Sequence, residues 1–309
     1  MNFEPINQTE LFGINDTLYK LISLYDEDRL PNKILLSGQK SLGKFTLALH
    51  LINYVLSENE DLPYDKKDCF INPNNRSYKL TLNKSNPNLF LVDADSEKKN
   101  IDINQIRDLI VKLNKSSFNN KPRFVLIDNI EYLNINSINA LLKILEEPND
   151  NIVFILINNN KKVLPTLLSR CINFKISLEK VKVLEVVKNV IKNEPYDFIS
   201  DDLINYYSSP GDIIKLIQFA NLNKYDFSKM RLKEFLNLMI DEKHYKKDSI
   251  IKYLIFDFIE YYLTKFYFIL SSNKFKKYDY FIKKISLIKN YHLDDESVFI
   301  EFKEDILNG

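Results

Sequence analysis

Five short apolar runs punctuate the first half of the chain, at residues 33–37 (KILLS), 89–93 (LFLVD), 124–128 (FVLID), 152–157 (IVFILI) and 171–176 (CINFKI). A strand with one face in water alternates polar and apolar residues, whereas most of these runs are apolar at consecutive positions and need burial on both faces. Segments of helical periodicity lie between them, at 45–56, about 103–114 and 134–147. Strands that alternate with helices specify a parallel sheet covered on both sides, here an α/β domain with a five-stranded sheet over residues 1–178. From Glu179 onward the strand pattern disappears and helical periodicity takes over, with a break near Ser208-Ser209-Pro210-Gly211. This predicts a small helical domain at 179–223 and an all-α unit at 224–309. Residues 57–88 are polar and rich in Asn, Asp, Lys and Pro, and read as a surface insertion.

The net charge of +1 gives no bulk electrostatic case for nucleic acid. Two cysteines, Cys69 and Cys171, cannot build a four-thiolate zinc site, and two distant thiols suit a reducing cytoplasm better than a disulfide scaffold. The three histidines, His50, His244 and His292, are too scattered to suggest a metal motif, so no metal and no zinc are expected. The segment MNFEPINQTE lacks the apolar stretch of a signal peptide. Residues 253–270 are the most membrane-like, but Asp257, Glu260 and Lys265 would then lie in lipid, and a buried helix is expected instead.

Glycine is scarce, with five in 309 residues, yet two of them fall in one loop. Gly38-Gln-Lys-Ser-Leu-Gly43-Lys44 follows the first strand and precedes a helix, matching the P-loop spacing in which backbone N–H groups cradle phosphates and the lysine reaches the terminal ones. Phe45 stands where a magnesium-binding hydroxyl belongs, and Thr46, the nearest hydroxyl, is turned away by about 100° on a helix. Asp128 ends a neighbouring strand where a metal-binding acid would sit, but Asn129 follows it and cannot act as a base. Glu131, if it opens a helix, faces elsewhere. Asn158, Asn159 and Asn160 close the next strand, and Asn158 is the candidate to sense a terminal phosphate. Taken singly, an ordinary strand-to-helix turn would explain the loop, a strand-ending cap would explain Asp128, and the turn tolerance of asparagine would explain Asn158.

Residues 137–148 read SINALLKILEEP, with Ile138, Leu141, Leu142 and Leu145 on one helical face and Pro148 closing the helix. Ser169-Arg170-Cys171 follows. NALLKILEEP with a downstream SRC triplet resembles the clamp-loader family of AAA+ ATPases, and within it the delta-prime subunits of bacterial DNA polymerase III. Leu11-Phe12-Gly13, the segment 103–107 and Leu164-Pro165-Thr166 extend the likeness over most of the first domain.

The resemblance implies an AAA+ base at 1–178, a lid at 179–223 and an oligomerising collar at 224–309. It implies that Arg170 serves in trans as an arginine finger at a neighbour's ATP site, although an isolated arginine would more simply make a surface salt bridge or cap a helix. It further implies partners: gamma/tau and delta subunits, a sliding clamp and primer-template DNA. The family's lid arginine has Gly211 in its place, so ATP or ADP binding in cis through Gly38, Gly43, Lys44, Thr46, Asp128 and Asn158 is expected to be weak or vestigial. Two alternatives stay open, an active gamma/tau-like ATPase and an AAA+ scaffold of another assembly.

Overall fold

The computed structural model describes residues 3–94, 100–115, 119–147, 151–159, 163–204, 208–247, 249–266, 272–291 and 296–308. Pro148, Asn160, His292 and the end of the 253–270 segment lie outside them. Five strands form one parallel sheet: β1 (Lys33–Ser37), β2 (Leu89–Val92), β3 (Arg123–Ile127), β4 (Ile152–Asn158) and β5 (Ile172–Lys175), in the order β2-β3-β4-β1-β5. The expected double burial is visible residue by residue in β1, β3 and β4, whereas the edge strand β5 has no buried residue. Ile34, Leu36, Phe124, Leu126, Ile155 and Ile157 belong to one core, while Leu35, Val125, Ile127, Phe154 and Leu156 belong to the other. Side chains alternate across a strand, so the same apolar run feeds both.

The first core is closed by α1 (Asn15–Asp26) and α2 (Lys44–Ser57). Residues 57–88 are largely exposed, as their polarity suggests, but the segment is also anchored in the core. Tyr64, Cys69, Ile71 and Tyr78 are buried in this core, and α3 (Arg76–Leu82) packs on α2. A few polar side chains of the segment and of α2 point inward and are paired. His50 Nδ1 meets Tyr64 Oη at 2.8 Å, Asn53 Nδ2 donates to Asn75 Oδ1 at 3.2 Å, and Ser77 Oγ donates to the Leu56 carbonyl at 3.2 Å. Burial holds the His50 imidazole down at about 4, so it stays neutral.

The second core is closed by α4 (Ile103–Leu113) and α5 (Ile135–Glu146). Asp102 and Gln105 form a capping box on α4, and Asn134 accepts from the Ser137 N–H at the start of α5. Then come α6 (Pro165–Leu168) and α7 (Lys180–Ile191).

No named strand follows β5 among the described residues. The chain divides into two compact units, Met1–Val190 with Ser209–Gly211, and Ile191–Ser208 with Asp212–Gly309. Helices α8 (Pro210–Asn223), α9 (Leu232–Asp241), α10 (His244–Lys247), α11 (Ser249–Phe266), α12 (Ser272–Tyr291) and α13 (Glu296–Phe302) complete the fold. The second unit has an aromatic core. Phe235 is edge-on to Phe227 and tilted against Phe258, and Phe256 stacks on Phe299. On α11, Ile251, Ile255, Phe256, Phe258, Ile259 and Leu263 are buried, as the charges along this helix led us to expect. Among the described residues no helix is long and apolar enough to cross a membrane.

Candidate functional site

The loop between β1 and α2 is shaped by backbone that side chains would obstruct. Gly38 has φ +152°, and a Cβ there would come within 2.2 Å of the Ile176 carbonyl oxygen. Gly43, with φ +90°, immediately precedes α2. Lys44 opens that helix and is buried, its Nζ donating to the Gly38 carbonyl at 3.0 Å and to the Gln39 carbonyl. Burial brings its pKa down to about 8, against the pull of Asp128 and Glu131.

The C-terminal ends of β2, β3 and β4 carry a chain of polar groups. Asn129 has a left-handed backbone, φ 55°. Its Nδ2 donates to Asp93 Oδ1 at 2.9 Å, and its Oδ1 accepts from Asn159 Nδ2 at 2.8 Å. Asp128 accepts from the Asn129 N–H at 2.8 Å. Burial, with Asp93 nearby, pushes the Asp128 carboxyl up to about 6.

Glu131 does not face elsewhere. The left-handed turn leads into a 3-10 helix, Ile130–Tyr132, and its carboxylate accepts from the Asn159 N–H at 3.3 Å and acts electrostatically on both Lys44 and Asp128. Asn158 pairs in register with Ser37, the last residue of β1. It is 3% exposed, and its Nδ2 is buried without a hydrogen-bond partner in the structure.

Phe45 lines a cleft of about 910 Å³ together with Asp93, Asp128 and Gln105. A phenyl ring offers no oxygen to a cation. Thr46 is buried within α2 and is not among the residues lining that cleft. Gly211, at the start of α8, donates its N–H to the Ser41 carbonyl at 3.1 Å, and a Cβ on it would sit 2.8 Å from Ser41 Cβ.

Arg170 stands apart from this group, between α6 and β5. Its Nη1 donates to the Thr166 carbonyl at 2.8 Å and to Ser169 Oγ at 3.4 Å, and its Nη2 pairs with the Glu146 carboxylate at the end of α5. Leu164, Leu168 and Ile172 around it are exposed aliphatics, and β5 is an edge strand.

Residues 14–180, more than half of the chain, match the family described as DNA polymerase III, delta subunit. The chain belongs to this clamp-loader family. Curated relatives of the clamp-loader chain include the DNA polymerase III subunit delta' of Pseudomonas aeruginosa, 28% identical over 57% of this chain and 52% of that protein. The gamma/tau subunit of Mycoplasma genitalium is 29% identical over 65% of this chain and 33% of its own length. The clamp-loader chain thus spans about half or less of these two relatives. A gamma-subunit-related protein of Thermotoga maritima is a structural neighbour at 20% identity, with 85% of this chain and 76% of that one covered and a TM-score of 0.40.

In the clamp-loader chain, then, Gly38, Gly43, Lys44, Asp128 and Asn158 gather around the strand ends, and Arg170 bonds to none of them. Asp93 and Glu131 join the group unforeseen. Asp93 could have been found, because it directly follows β2 as Asp128 follows β3 and those strands pair side by side. Glu131 carries no such signal. Among the described residues no cluster of three or more His, Cys, Asp or Glu is arranged to hold a metal ion.

Proposed function

We propose that this clamp-loader chain is a delta-prime-type subunit: it lends Arg170 in trans to the ATP site of an adjacent gamma/tau-type subunit, while its own site hydrolyses little or nothing. The complex would hold a delta subunit as well, open a sliding clamp, and set it on primer-template DNA in the cytoplasm. The observation that carries this reading is the contrast between the two sites. The cis site has a phenyl ring where the hydroxyl ligand of a metal belongs and an asparagine where a general base is needed, so those two positions supply neither the hydroxyl nor the base. Arg170 is complete, lies on the exposed α6–β5 edge, and is flanked by Leu164, Leu168 and Ile172, aliphatic surface suited to a protein neighbour. A guanidinium fork matches phosphate oxygens in a way lysine does not.

The cis residues fit a nucleotide's phosphates better than its magnesium. The buried, unpartnered Asn158 Nδ2 is a donor in want of an acceptor, and the glycine-shaped loop with Lys44 would hold ATP or ADP phosphates. Bound there, a nucleotide would supply charge to order the loop. This favours a second reading in which nucleotide is retained as a structural ligand.

The test is DNA-stimulated ATPase of the assembled complex. Arg170→Ala should leave assembly intact and lower hydrolysis, since a finger is worth about a thousandfold or more at its own site while the other sites continue. Lys44→Ala should do less. The reverse ranking would make the cis site the working one and favour the active gamma/tau-like ATPase.

A further inference from the structure

Glu146 is the last residue of α5, where a carboxylate meets the negative end of the helix dipole and gains nothing from it. Its partner is Arg170, and both side chains are partly exposed, at 55% and 32%. An ion pair so placed adds little to folding. Its effect on the guanidinium is larger. Arg170 Nη1 is tied to the Thr166 carbonyl and Ser169 Oγ, both on its own short segment, and Nη2 is tied to Glu146 on a different element. Two anchors on opposite ends of a planar fork set its orientation, where one would leave it to swing. The second anchor is built on firm ground, because Leu141 and Leu145 of α5 are wholly buried under the sheet. Three hydrogen bonds leave two of the five guanidinium N–H groups for another acceptor.

We propose that Glu146 is the positioning residue of Arg170, fixing the guanidinium plane before an anionic phosphate of a neighbouring subunit reaches it. This rests on the reading of Arg170 as a finger in trans. An arginine that must be ordered at the moment of contact forfeits part of its effect to side-chain entropy, and Glu146 removes that loss beforehand.

The experiment compares Glu146→Gln, Glu146→Asp, Arg170→Ala and the Glu146→Gln/Arg170→Ala double variant in the complete assembly. It reads kcat and KM for DNA-stimulated ATP hydrolysis, with thermal unfolding of each free chain. Glu146→Gln should lower the Arg170-dependent part of kcat on the order of tenfold with KM little changed. Glu146→Asp should recover part of it, the unfolding temperature should not move, and the double variant should match Arg170→Ala alone. If Arg170→Ala lowers hydrolysis but Glu146→Gln does not, or if Glu146→Gln lowers it equally when Arg170 is absent, the positioning role fails and the finger stands. A rise in kcat on Glu146→Gln would make Glu146 a competitor of the phosphate and overturn the proposal. No effect of Arg170→Ala would remove both.

Discussion

Asp128 is held against its own chemistry. Its carboxyl titrates near 6 because it is buried beside Asp93, so between about 4 and 6 the folded chain binds more protons than the unfolded one. Stability contributed at this residue therefore falls as pH rises through that window and stays lowered above it. Asp128→Asn removes the buried charge and keeps an oxygen to accept from the Asn129 N–H. It should stabilise the protein by about 1–3 kcal/mol at pH 8, bounded by a shift of about two units, and by little at pH 4.5. Denaturant titrations at the two pH values decide it, since an equal gain at both would show that the charge is not the cause. The residues of this site were unevenly legible in the sequence. Gly38, Lys44 and Asp128 follow from spacing and from the ends of apolar runs. Glu131 and Asn159 depend on the left-handed turn at Asn129, and no pattern in the sequence announces that an asparagine will reverse the chain there.

At the scale of elements, the five strands and the helices α2, α4 and α5 lie where periodicity placed them, to within a residue or two at their ends. Continuous apolar runs leave a strand no other place than the middle of two cores. The segment 57–88 is legible only in part: its polarity fits a largely exposed stretch, but does not tell which polar residues are buried with a partner. Asn75 illustrates this. It is 1% exposed, caps α3 by accepting from the Tyr78 N–H at 2.9 Å, and donates to the Leu62 carbonyl at 2.8 Å. Asn75→Ala strips the cap and leaves the Leu62 carbonyl and the Asn53 amide short of a partner. The expected cost is about 2–3 kcal/mol, read by chemical denaturation, with early proteolysis within 57–88. A loss below about 0.5 kcal/mol would mean that Asn75 does not anchor the segment.

The whole molecule has its apolar mass in separate places, a sheet unit with two cores and a helical unit with an aromatic one. Phe235 is 1% exposed between Phe227 and Phe258. Phe235→Ala should cost the helical unit about 3–5 kcal/mol, seen in calorimetry as a downward shift of one transition while the other holds its temperature. Equal movement of both would mean that the units unfold as one. The contact between Gly211 and Ser41 has a consequence for which residues the chain can accept. With 2.8 Å between a would-be Cβ and Ser41, position 211 has become closed to every residue with a side chain unless the loop yields first. Gly211→Arg alone should therefore displace Ser41 and disturb the 38–44 loop that carries it. A side chain at position 211 thus needs a compensating change at position 41, so that these two positions, far apart in the chain, are free to vary only as a pair.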